Sequence, residues 1–257
     1  MPNIKEVGAR LKNRFQIHPK ELKLLLWATL ITAFIFSFQD WGVDTFDIVY
    51  GLQHLLILIV LVAIIFFFWL TVQKIYGLAK GYNVEFQIWW LGLLVALGLV
   101  FMTLGEFALV VVGGVVVSFL PKQRIGEFRY AYSYFEAGMV AFWGLLANMF
   151  LAIFFALGLY YSPESYFFSK GLLMTLIMAI VTLIPFDLIK LKFPRFPTPN
   201  LPGLQILFAS HILYIAAWIM VLLTGALLLT GTRAGLIILV LMYGIAGIVY
   251  FSIRSEK

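Results

Sequence analysis

Three histidines, twelve acidic residues and no cysteine limit the chemistry open to this chain. Without cysteine there is no disulfide, thiolate nucleophile, iron–sulfur ligation or Cys-containing zinc set. A metal would need His, Asp and Glu. The histidines, His18, His54 and His211, nowhere form H-x-x-x-H, the spacing that puts two ligands on one helical face. Asp187 and His211 end and begin consecutive apolar segments and could approach each other, which makes them the fallback metal candidates. His54 lies toward the opposite end of its segment, on the order of 10 Å or more from that pair at the rise of a helix. Two ligands do not make a zinc site, so neither a metal nor a cofactor is expected.

Other polar residues stand in apolar surroundings, where burying an ionisable group costs several kcal/mol unless a partner offsets it. Gln53 and His54 could line a polar cavity or make interfacial hydrogen bonds. Glu106, beside Gly105, reads as a turn or as a proton or ion site. Gln73 reads as an interhelical hydrogen bond. Asn148 lies on a helix whose Gly138, Ala141, Gly144 and Ala147 recur every three residues and allow a neighbour close. Glu136 has Arg124 and Arg129 within reach. Trp27, Trp89 and Trp90 suit an aromatic belt at a membrane interface.

These residues must be held by membrane-spanning elements. Of 257 residues 63% are hydrophobic and 12% charged, which suits no soluble domain and leaves enough apolar chain for six or seven spans of roughly 20 residues. The expected architecture is all-α and polytopic. Residues 1–23 form a cytoplasmic basic segment, in which Ile4, Val7, Leu11 and Phe15 share one helical face. A single transmembrane domain covers 24–253, followed by a cytoplasmic tail at 254–257. Six spans are expected, at Leu24–Phe38, Ile48–Gln73, Gly138–Tyr161, Gly171–Phe186, Ile206–Leu229 and Ala234–Ile253. Between the second and third, Ile88–Leu120 is long enough for more than one crossing. Its Val110–Val117 run, VVVGGVVV, places a Gly113–Gly114 pair between β-branched residues, a hairpin signal. The stretch is therefore a re-entrant hairpin shielded by helices, or a Gly-kinked helix pair.

With a cytoplasmic N-terminus, every Lys and Arg except Lys170 and Arg233 falls on the inner side, as the positive-inside rule requires. The charge of +6 is then explained without nucleic acid, and the basic inner surface could hold anionic lipid. The expected location is the cell membrane, with both termini cytoplasmic and the lipid bilayer as the first partner. The segment Phe193–Gly203, with four prolines, reads as a semi-rigid connector or a polyproline docking strand.

Three stretches in order resemble the site-2 protease family of intramembrane zinc metalloproteases, particularly its short archaeal-type members. EAGMVAFWGLLANMFLA, Glu136–Ala152, looks like that family's E-x-G-x-[IV]-A-x-x-G-P-L-x-N segment, with Leu145 in place of the proline. KGYNVEFQIWWLGL, Lys80–Leu93, is similar to the Y-G-x-x-A-E-F-R-x-W stretch that follows the family's catalytic helix. TLIP, Thr182–Pro185, and LPGLQILFAS, Leu201–Ser210, resemble N-L-[LIV]-P and L-D-G-x-K-[IV]-F-F-G-S. The resemblance implies a site-2 protease-like core at about 48–215.

The same resemblance removes the chemistry. The family's H-E-x-x-H, two zinc ligands and a general base, aligns with Trp69, Leu70, Thr71, Val72 and Gln73. The aspartate ligand aligns with Pro202, and Thr182 stands where the family has Asn. What the resemblance implies is a proteolytically inactive relative, a pseudoprotease, whose groove near Gln73, Glu136, Asn148 and Thr182 would hold transmembrane segments of other membrane proteins. Two alternatives stand beside it. One is an active intramembrane metalloprotease with a non-standard site built from Asp187, His211 and Glu136 or Glu127; the other is a small transporter or channel.

Overall fold

The computed structural model describes residues 4–42, 46–119, 134–186, 201–231, 235, 237–239 and 241–243. Asp187, Arg124, Glu127, Arg129, most of the proline-rich connector and most of the Ala234–Ile253 span lie outside them. The chain forms α1 (Ile4–Arg14), α2 (Pro19–Ser37), α3 (Ile48–Lys80), β1 (Tyr82–Ile88), α4 (Trp90–Met102), β2 (Gly113–Phe119), α5 (Tyr134–Tyr161), α6 (Tyr166–Leu183), α7 (Pro202–Ala209) and α8 (His211–Leu229). Five helices, α2, α3, α5, α6 and α8, are long and apolar enough to cross a membrane, and α4 is a shorter apolar helix.

The long helix α3 organises the bundle. Asp47 caps its start by accepting from Val49 N at 3.0 Å and Tyr50 N at 3.1 Å. Gly81, with φ 86°, ends it in the left-handed conformation that glycine adopts without strain. Its 33 residues run about 50 Å, longer than the hydrocarbon core, so the helix continues past Gln73, where the apolar run ends. Helices α2 and α5 pack on α3, while α6 and α7 pack on α5. The small residues of α5 serve different neighbours. A Cβ at Gly138 would collide with Ala209 and the Gln205 carbonyl of α7, and one at Gly144 with the Gln73 amide and Trp69 of α3.

The valine-rich run behaves differently from a local hairpin. Gly113 and Gly114 begin a strand rather than form a turn, and β2 pairs antiparallel with β1, from Tyr82 opposite Phe119 to Ile88 opposite Gly113. The helix-pair alternative is likewise overturned for this half of the stretch. The reason is alternation in YNVEFQI, which buries Tyr82, Val84 and Phe86 and leaves Glu85 and Gln87 exposed; this is the period of a strand. Between the strands α4 runs along α2. Phe101 reaches Phe34 and Phe38, with ring centroids 6.3 and 5.0 Å apart, and the chain then turns at Leu104–Gly105 and returns extended. The segment from Tyr82 to Phe119 thus leaves the α1 end of the bundle, reaches the far end of α2 and comes back.

A two-stranded sheet has two bare edges, which apolar surroundings cannot satisfy. Here a side chain satisfies one outward group on each edge. On the β1 edge Phe86 N donates to Glu21 Oε1 at 2.8 Å. On the β2 edge Gln205 Nε2 donates to Val115 O at 3.0 Å. Phe86 and Val115 face each other in register, so both of these groups point away from the ladder. Glu21 is also held by Lys74, whose Nζ lies 2.7 Å from Oε2 with both side chains 5% exposed; the same ammonium donates to Gln16 O at 3.1 Å.

The expected span Ile206–Leu229 is broken at Ser210, which is extended (φ −167°, ψ 126°) and caps α8 by accepting from Leu213 N at 3.3 Å. A serine there competes for the helix backbone, so α7 turns across α5 while α8 continues in a new direction against α5 and α6. Gly203 lets α7 approach the end of α6, since a Cβ there would collide with the Leu183 carbonyl. Tyr214 also donates to that carbonyl, at 3.1 Å.

Removing one member of the Glu21–Lys74 pair leaves the other charge buried alone. Glu21→Ala is expected to lower unfolding stability in detergent by about 3–5 kcal/mol. Glu21→Ala with Lys74→Met should recover part of that loss, but not the bond to Phe86.

Candidate functional site

Two helices, strand β1, the returning segment and the residue before α7 converge on a cavity of about 20 Å³, room for roughly one water. Trp69 comes from α3, Phe86 from β1, Val111 and Gly113 from the returning segment, Thr182 from α6, and Leu201 from the residue before α7. Trp69 and Phe86 meet edge to face, with centroids 6.2 Å apart and planes at 87°. The lining is apolar except for Thr182, whose hydroxyl donates back to Ala179 O at 3.1 Å. This geometry offers no charge, no ligand set and no activated nucleophile.

The residues singled out in the sequence divide into groups around this centre. Trp69 and Thr182 line the cavity, Leu70 is buried beside them, and Pro202, the first residue of α7, adjoins Leu201. Gln73 lies one turn further along α3, against Gly144 of α5, and Asn148 lies one turn beyond Gly144. Both carboxamides are fully buried, and neither has a hydrogen-bond partner among the described residues. The interhelical bond expected of Gln73 and the buried amide bond expected of Asn148 are therefore not made. Glu136 sits apart, in the first turn of α5, bonded to Lys80 Nζ at 3.1 Å. His211 is exposed at the start of α8. Trp89 is half-buried, its ring 6.4 Å from that of Phe186. Among the described residues no three of His, Asp and Glu come close enough to hold a metal.

At the far end of the bundle the structure assembles a polar cluster that sequence spacing does not reveal. Asp40 accepts a short hydrogen bond from the Tyr166 hydroxyl. Its carboxylate also lies 3.7 Å from His54 Nδ1 and 3.6 Å from Lys170 Nζ. The His54 ring is sandwiched between Tyr50 and Tyr166, at 4.1 and 4.0 Å. These residues come from the turn after α2, from α3 and from α6. The cluster ties those three ends together. Its only sequence signal is that Asp40, His54 and Lys170 fall on the same side of the expected topology.

A larger groove of about 460 Å³ opens on the flank of the bundle between α3 and α5. Phe68, Val72, Trp143, Ala147 and Phe150 line it, with Tyr243 at one side. Phe68 stacks on Phe150 at 6.0 Å and Tyr76 on Trp143 at 5.4 Å, so aromatic pairs bridge the two helices on this face.

A scan against protein-family models and searches of characterised proteins and of solved structures return no match to this chain.

An unpaired buried amide costs about 1–3 kcal/mol. Gln73→Leu and Asn148→Leu, close in volume to the originals, should therefore leave thermal stability in detergent unchanged or raise it. A loss above about 1 kcal/mol in either would show that the carboxamide has a partner worth that much.

Proposed function

We propose that this chain is a site-2 protease-like integral membrane protein without proteolytic activity, a pseudoprotease, that binds transmembrane segments of other membrane proteins. One observation carries the reading. Two of the positions that the resemblance aligns with the lost catalytic motif and its partners, Trp69 on α3 and Thr182 on α6, are far apart in sequence and line one cavity, and a third, Pro202, follows Leu201, which also lines it. Such convergence is expected of a core that once surrounded a metal. The space is now lined by Trp69 and Phe86, and among the described lining residues none is a His, Asp or Glu that could ligate a metal. In this reading the protein sits in the cell membrane with both termini cytoplasmic, because that orientation satisfies the positive-inside rule.

The seat for a transmembrane segment is the flank groove rather than the buried carboxamides. Gln73 and Asn148 are closed off between α3 and α5, whereas the groove beside them faces outward. It is apolar, falls within the size range of ligand pockets, and lies at mid-length on α5 and in the second half of α3. An occupant at that depth must satisfy its own backbone, as a helix does. Helix-in-groove docking then sets apolar side chains over Ala147, between the two aromatic pairs.

A photoreactive phenylalanine analogue at Phe150 tests this in native membranes. The expected result is adducts with membrane proteins that disappear when Ala147→Trp fills the groove. Adducts with lipid alone, or protein adducts indifferent to Ala147→Trp, would overturn the assignment.

A further inference from the structure

The corner between α1 and α2 carries cations that the fold leaves uncompensated. Lys12 and Arg14 lie in the last turn of α1, and Lys20 and Lys23 in the first turns of α2. All four are exposed, and none has an acidic partner among the described residues. Glu21, between the two lysines, is turned inward and committed to Lys74 and Phe86 N.

This corner is a fixed element. Phe15 N donates to Leu11 O at 3.1 Å and Leu22 N to His18 O at 3.0 Å. Lys74 holds the Gln16 carbonyl, and α1 packs on α3. The four cations are therefore presented at a set depth. That depth is marked on α2 itself, where Leu22, Leu26, Trp27 and Leu30 form an exposed stripe, 44–56% accessible. Lys23 stands one turn before Trp27, about 6 Å along the helix. A tryptophan at the boundary between hydrocarbon and headgroups places a lysine one turn beyond it among the phosphates.

We propose that this corner is a binding site for an anionic phospholipid of the leaflet that α1 faces. The headgroup phosphate is held by Lys12, Arg14, Lys20 and Lys23, and the acyl chains lie along Leu22, Leu26 and Leu30. The cations alone would suit any phosphate. Their continuity with an exposed apolar stripe selects a lipid. The site lies at the α1–α2 corner, not in the flank groove between α3 and α5, and does not depend on what that groove binds.

The test is lipid retention by the full-length protein in native mass spectrometry, comparing phosphatidylglycerol with phosphatidylcholine. Phosphatidylglycerol should be held more tightly. Each neutralisation in the series Lys12→Gln, Arg14→Gln, Lys20→Gln and Lys23→Gln should weaken it about fivefold at low salt. The charge-preserving set Lys12→Arg, Arg14→Lys, Lys20→Arg and Lys23→Arg should retain binding, which separates loss of charge from loss of fold. Equal retention of the two lipids, or a variant with all four cations neutralised that prefers phosphatidylglycerol as strongly as the parent, would overturn the proposal. Displacement by inorganic phosphate as effective as by phosphatidylglycerol would also overturn it, since a free-anion site has no need of the apolar stripe.

Discussion

A buried ammonium governs this structure. Lys74 stands in an apolar helix, and a charge taken out of water is tolerated only with partners that replace its hydration. It finds the carboxylate of Glu21 and the carbonyl of Gln16, and the second oxygen of Glu21 then accepts from Phe86 N. One charge pair therefore joins the α1–α2 corner, α2, α3 and the edge of β1. From that anchoring follows the course of the segment from Tyr82 to Phe119. β1 is held beside α2, α4 must continue along it, and the return leads β2 back to pair with β1. Gln205 closes the remaining edge from α7. Side chains from both flanks thus each satisfy one outward backbone group of the sheet, where apolar surroundings offer no partner.

Much of this framework is legible from residue order. The apolar runs locate the spanning helices, and the small residues of Gly138–Ala147 announce close packing on α5. That Gly138 faces α7 while Gly144 faces α3 is not legible, because a periodic stripe does not say which neighbour meets which turn. The valine run is recognisable as strand, but its partner lies some 25 residues upstream, and a glycine pair between β-branched residues points to the nearest turn instead. Ser210 hides its break because the residues on both sides are apolar. Lys74 carries a signal that hydropathy averages conceal: a charge near the end of a long apolar helix demands a buried partner, and Glu21, just ahead of the first span, is placed to be one.

The site shows the same division. Residues adjacent in a motif, such as Trp69–Gln73, can be placed from sequence. The cavity, however, is completed by Phe86 and Val111, which carry no chemistry to attract notice. Asp40 and Tyr166 are 126 residues apart, and nothing in their types predicts that they meet. What emerges is a framework whose helices converge as if around a reactive centre, with an indole and a phenyl ring packed there instead. In the proposed reading such a framework binds, which needs shape and not ligands, and the groove between α3 and α5 would supply the shape.

The central claim is that the convergence of α3, α6 and α7 encloses no metal. Elemental analysis of zinc per polypeptide, on protein purified in detergent without chelator, tests it most directly, with an Asp187→Ala and His211→Ala double variant alongside. Zinc far below one per chain is the expected result for both proteins. Near-stoichiometric zinc that is lost in the double variant would contradict the claim and would place a rebuilt metal site at the ends of the segments that carry those two residues.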